Sequence, residues 1–191
     1  MCPEGKLSAT DETCPACRLP VDLTRRVKSE TQANRLLQSG NIDSVRKCLD
    51  IQQQLYCADA HVLGATYDRL AELYARKGNF CESVSYCRKS IDVVRARFGS
   101  QSPELAREMF KLCTLLFNRY VSTVLASFGH THRLFYWVVY IGSFRISGNS
   151  QRLQEALATI RATLVLYKNH GLSHEDDVQE LIGMKRFLET L

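Results

Sequence analysis

An all-α fold of paired helices is what this sequence predicts, and three observations predict it. Apolar residues recur at helical spacing: Leu63, Tyr67, Leu70, Ala71 and Tyr74 form one stripe, and Phe80, Val84, Cys87, Ile91 and Val94 form a second. Between them lies Arg76-Lys77-Gly78-Asn79, basic at a helix end and carrying a glycine that suits a left-handed turn, so the two helices fold back as a hairpin. The pattern then returns 42 residues later, with Leu105, Leu112, Cys113, Leu115 and Leu116 over Leu63, Leu70, Ala71, Leu73 and Tyr74.

The elements follow in order. Residues 1–28 read as a short irregular entry containing cysteines, and 29–191 as the helical domain. A weaker first unit spans 31–56, with Leu36, Leu37, Ile42, Val45, Leu49 and Leu55 as its apolar set. Small residues stand where paired helices must approach closely, Ala71 and Ser83 in the first clear unit and Cys113 and Ala156 in the second. The connector 98–104 supplies Gly99 as a stop and Pro103 for the next first turn. Residues 169–175 do the same before a last helix holding Val178, Leu181, Ile182, Met184 and Leu188. These units resemble the longer form of the tetratricopeptide repeat. Stacked, they would present a concave groove to a protein or peptide partner.

The repeat is interrupted. Aligning Phe80 with Leu153 leaves 31 residues too many, and removing 121–151 joins Asn118-Arg119-Tyr120 to Arg152-Leu153 as a helix-turn-helix. The excised stretch has no acidic residue and holds the one tryptophan, Trp137, in an apolar run over 134–141. That run is far below the ~20 residues of a membrane span. Three readings stand: an aromatic-rich functional loop, a buried β-type hairpin or extended helix, and a translated intron. The last is favoured, since Val121-Ser122 can be encoded by a splice-donor sequence and Gln151 by an acceptor.

The totals narrow the function classes. In 191 residues, 25 basic and 20 acidic side chains are largely interleaved for a net charge of +5, a mixed solvated surface that does not point to a nucleic-acid groove. The first residues have no apolar signal segment, so a monomer of the cytoplasm and nucleus is expected, with no membrane contact. Of eight cysteines, Cys48, Cys57, Cys81, Cys87 and Cys113 fall within helical patterns and read as reduced, small apolar residues. Cys14-Pro15-Ala16-Cys17 has the spacing of half a tetrahedral zinc site, and Cys2 could add a third thiolate. A fourth ligand is not evident, which suggests a chain cut from a longer one. A flexible free thiol pair is the alternative.

Other candidates have plainer readings. Tyr56, Tyr67, Tyr74 and Tyr86 lie on helical stripes and read as core. His170 and His174 flank Gly171, so they read as loop residues, and His61, His130 and His132 form no metal-binding pair. Glu175-Asp176-Asp177 sits where the positive end of a helix dipole favours acids. Lys28, Arg35, Arg46 and Lys47 are candidates for holding an acidic peptide terminus in the groove.

Three lines, 108–118, 155–160 and 180–185, together with the cysteine entry, resemble the C-terminal part of the SET and MYND domain-containing protein-lysine methyltransferases. That resemblance implies, for the complete protein, methyl transfer from S-adenosylmethionine to protein lysines by a SET core. It also implies zinc held by cysteines after that core, and a helical tail that shapes the substrate cleft and binds partners. The SET core's cofactor-binding segment and catalytic tyrosine are not found in this sequence, nor is a MYND module. The expectation is therefore a substrate- and partner-binding region that is inactive alone, with catalytic and cofactor-binding residues none and Cys14, Cys17 and Cys2 as partial metal ligands. The alternatives are a stand-alone tetratricopeptide adaptor and a zinc-dependent structural module.

Overall fold

A computed structural model describes residues 23–127, 149–173 and 175–190. The described residues form seven helices: α1 (Leu23–Gln38), α2 (Ile42–Leu55), α3 (His61–Arg76), α4 (Phe80–Phe98), α5 (Pro103–Ser127), α6 (Asn149–Asn169) and α7 (Asp176–Glu189). They divide into two compact units, one on each side of the boundary between Arg97 and Phe98. The expected all-α architecture of helix hairpins is what is seen. Residues 23–28, assigned from sequence to the irregular entry, are instead the first turns of α1.

In the first unit α1 packs on α2 and α2 on α3, while α3 and α4 close the second hairpin. Ala71 and Ser83 are both buried and touch, the Ser83 hydroxyl donating to the Ala71 carbonyl oxygen at 2.7 Å. Farther along the same crossing, a Cβ placed on Gly64 would lie 3.1 Å from Val93 Cγ1, so the absence of a side chain is what allows the contact. The turn between α3 and α4 places Gly78 at φ 73°, a conformation that a Cβ disfavours. Asn79 follows, its amide donating to the Tyr74 carbonyl at 3.0 Å and its side chain accepting from Glu82 N at 3.3 Å. One residue thus closes α3 and opens α4.

The second unit repeats this scheme. Leu105, Ala106, Leu112, Cys113 and Leu116 are buried on α5, and Ala156, Leu157, Ile160, Thr163 and Leu166 on α6. With the 31-residue offset, these α6 positions are the counterparts of Ser83, Val84, Cys87, Ser90 and Val93, all buried on α4. The alignment across the interruption is therefore the one that burial obeys. Ala156 cannot donate as Ser83 does. Here the polar contact is instead between the Cys113 thiol and the Thr163 hydroxyl, at 3.3 Å. Ser102 and Pro103 start α5, the Ser102 hydroxyl accepting from Leu105 N at 3.1 Å. Helix α7 packs on α5 and α6 through Val178, Leu181, Met184 and Leu188, with Phe117 and Phe187 edge to face at 5.5 Å.

The interruption at 121–151 is described only at its edges, 121–127 and 149–151; Trp137, His130, His132 and the apolar run lie outside the described residues. At those edges both helices continue. Helix α5 is described as far as Ser127 and α6 from Asn149. Arg119 pairs with Glu155, and Arg152 donates to the Thr123 hydroxyl at 3.0 Å. Excision of 121–151 would set Tyr120 at the place of Gly78, yet Tyr120 is a buried helical residue, and a bulky side chain at positive φ is strained. The joined sequence would thus lack the glycine that the first turn uses. Replacing 128–148 by a Gly/Ser linker of about six residues, which reaches up to ~20 Å, should keep the helical circular dichroism and a cooperative melt. Deleting 121–151 outright should lower the melting temperature by several degrees, since loss of 1 kcal/mol shifts a small domain by roughly 2–8 °C. Equal melting of the two variants would contradict this account.

Candidate functional site

The four basic residues singled out from sequence do not form one cluster. Lys28 and Arg35 lie exposed on α1, where they line a shallow depression of about 390 Å³ together with Val27, Thr31 and Gln32. Arg46, on α2, instead faces the Tyr86 hydroxyl and sits near Tyr74 and Glu82. Lys47 is exposed on α2. Sequence reasoning missed Val27, Thr31 and Gln32 because it had placed the first of them outside the helical domain. The spacing of four from Val27 through Thr31 to Arg35 was the available signal.

The other face of α1 shows why this one is turned outward. Arg26 is buried, and its Nε donates to Glu30 Oε1 at 2.9 Å. The Tyr56 hydroxyl, at the end of α2, donates to the same oxygen at 2.9 Å, and the Arg26 guanidinium lies 5.8 Å over the Tyr56 ring. Glu30, the one acidic residue of α1, is thus engaged between helices. The exposed residues of the helix then carry positive charge only, on Arg25, Lys28 and Arg35. Burial, then the bond to Glu30, pushes the Tyr56 phenol up to about 12.

The other described tyrosines behave as core residues. Tyr74 and Tyr86 stack at 5.6 Å with planes 7° apart, and Tyr67 stacks on Tyr86 at 6.4 Å. The Lys89 ammonium lies 5.1 Å over the Tyr86 ring and 5.8 Å over that of Tyr67. Tyr167 is buried and donates to Asp177 Oδ2 at 2.8 Å. Asp177 therefore does more than meet the dipole of α7: it ties the start of that helix to α6.

Cys48, Cys87 and Cys113 are buried as expected, and burial pushes the Cys113 thiol up to about 12 despite its bond to Thr163. Cys57 is half-buried and Cys81 is exposed near the start of α4. The expectation that all five act as small core residues within helices thus fails for Cys81, whose place on the helix faces solvent, and for Cys57, which lies in the connection between α2 and α3. Helix α6 ends at Asn169 and Gly171 has φ 70°, so His170 is a turn residue; His174 lies outside the described residues. Cys2, Cys14 and Cys17 also lie outside them. Among the described residues, no group of three or more His, Cys, Asp or Glu is placed to hold a metal, and no helix is long and apolar enough to cross a membrane.

No protein-family model matches the chain. The sequence is 32% identical over 120 residues to the protein-lysine N-methyltransferase SMYD4 of Mus musculus, a match covering 59% of this chain and 15% of that protein. The chain is a distant homologue of part of SMYD4. The Gallus gallus SMYD4 is 30% identical over 133 residues, covering 65% of this chain and 18% of the relative. The human SMYD4 is 26% identical over 174 residues, covering 89% and 17%. The chain thus spans less than a fifth of the length of these curated relatives, and SMYD4 bears out the resemblance to the SET and MYND family in its fourth member. A solved Podosopora anserina kinesin light chain of nearly identical TPR-like repeats has 13% identity and a TM-score of 0.37, covering 86% of this chain and 85% of that one. A second structure of that protein scores 0.36 at 14% identity. Both likenesses are too weak to carry the fold, which rests on the helix pairing described above.

Two measurements check this chemistry. The folded state holds the Tyr56 phenol above its ordinary value of 10, so this group's contribution is fully present below about pH 10 and is lost as pH rises toward 12. Stability measured by urea titration should fall through that window, and Tyr56→Phe should shallow the fall while lowering neutral-pH stability by about 1 kcal/mol. In thiol alkylation of the native chain read by mass spectrometry, Cys81 should react well before Cys48, Cys87 and Cys113, since exposure and thiolate character govern the rate. Equal rates at all four would refute the burial pattern.

Proposed function

We propose that this chain is the C-terminal helical region of a SET and MYND-type protein-lysine methyltransferase, and that it binds substrate or partner proteins for that enzyme. The observation that carries the reading is the 32% identity to mouse SMYD4 over 120 residues. The paired helices supply a physical basis, because helix hairpins leave side-chain faces uncovered on which other proteins can dock. Methyl transfer from S-adenosylmethionine is assigned to the rest of the longer protein, of which this chain corresponds to a small share. Cys14, Cys17 and Cys2 belong to the same proposal as thiolates that would complete a zinc site only with ligands from elsewhere in that protein.

A chimera provides the test. In mouse SMYD4, the stretch homologous to this chain is deleted or replaced by it, and methylation of a protein substrate is followed with labelled S-adenosylmethionine. Deletion should weaken substrate capture, seen as a raised KM, and the replacement should restore it at least in part. A replacement that behaves like the deletion, or turnover of S-adenosylmethionine by the isolated chain, would refute the assignment. For the metal, reduced chain purified alone should hold well under one zinc per molecule, and Cys14→Ser should lower what it holds.

A further inference from the structure

We infer that the exposed face of α1 is a docking surface for an acidic amphipathic helix of a partner protein. This rests on the reading above, in which the chain binds proteins, and narrows it to one face and one partner chemistry. Val27, Thr31 and Arg35 stand four residues apart and make one row of side chains; Lys28 and Gln32 make the next, and the shallow depression is the trough between them. Among the described residues α1 alone lines this depression, and one convex helix does not enclose an extended chain or a chain end from two sides. Rows with a trough between them fit the matching row of a second helix, with axes roughly 8–10 Å apart.

Charge selects the partner. Lys28 and Arg35 lie along the trough, no exposed residue of α1 is acidic, and the helix's one carboxylate is held by Arg26 and Tyr56. Val27, 58% exposed beside Lys28 at the start of the trough, offers an apolar seat, while Thr31 and Gln32, between the two cations, offer hydrogen-bonding groups. A second copy of this chain is a poor occupant, because pairing α1 with α1 would set cation against cation. A helix with an apolar stripe flanked by Glu or Asp satisfies both the trough and the charge.

The probe is a fluorescent helical peptide of about 20 residues, some 30 Å long, with a Leu stripe flanked by Glu. Its controls are the isomer with Lys in place of Glu and a version broken by proline. Anisotropy with the 191-residue chain should show binding of the Glu helix and none of the Lys helix or the broken peptide. The double variant K28E/R35E, with its fold checked by circular dichroism, should bind the Glu helix about tenfold more weakly or worse. It should also gain affinity for the Lys helix. Equal binding of the Glu helix to both proteins, equal binding of the broken peptide, or self-association that K28E/R35E abolishes would each overturn the inference. Failure here with a chimera that still captures substrate would remove the α1 surface alone, whereas failure of the chimera would remove the broader reading.

Discussion

Close approach between paired helices is the constraint on which the rest of each unit depends. The Ser83 hydroxyl reaches the Ala71 carbonyl, and Gly64 leaves room for Val93. Larger side chains at these places would force the axes apart and open the interior, at a cost of typically 1–3 kcal/mol for an overpacked core site. The second unit meets the same demand with other residues. Ala106 and Ala156 are fully buried, and Cys113 meets Thr163. What recurs between the units is small volume at the crossing, satisfied by whichever polar or apolar group fits.

Buried polar groups then decide how neighbouring helices are placed. Thr66 donates to Gln52 at 2.6 Å across the α2–α3 contact, with the Cys48 thiol alongside. Such groups are costly to bury unless bonded, so a rotation that broke these pairs would be penalised where a purely apolar interface would tolerate it. The same logic fixes α1. Glu30 takes hydrogen bonds from Arg26 and Tyr56, and this leaves Lys28, Thr31 and Arg35 facing outward. An interior arrangement therefore sets the chemistry of an exterior face.

The interruption near residue 121 shows how far a repeat can be followed through sequence alone. The 31-residue offset places Ala156, Leu157, Ile160 and Thr163 on positions that are buried in both units, because a helix keeps its buried face at the same spacing whatever is inserted beyond its end. Where each helix stops was not legible in the same way. Tyr120 lies at the counterpart of Gly78 but continues α5 instead of turning. A glycine stop is a local signal, and its absence at that point lets the helix run on, stitched to α6 by Arg119 with Glu155 and Arg152 with Thr123.

By itself the sequence determined the helical class, the hairpin periodicity and the small residues at the crossings, since these are carried by residue type at regular spacing; the kinship with SMYD4 is carried by the identity of residues along matched stretches. Only the tertiary structure decided that α1 already includes residues 23–28, that Arg46 turns to Tyr86 and away from Lys28 and Arg35, and that Cys81 faces solvent. The physical reason is the same in each case. A side chain's partner is chosen by what lies across the interface from it, and that neighbour is far away along the chain.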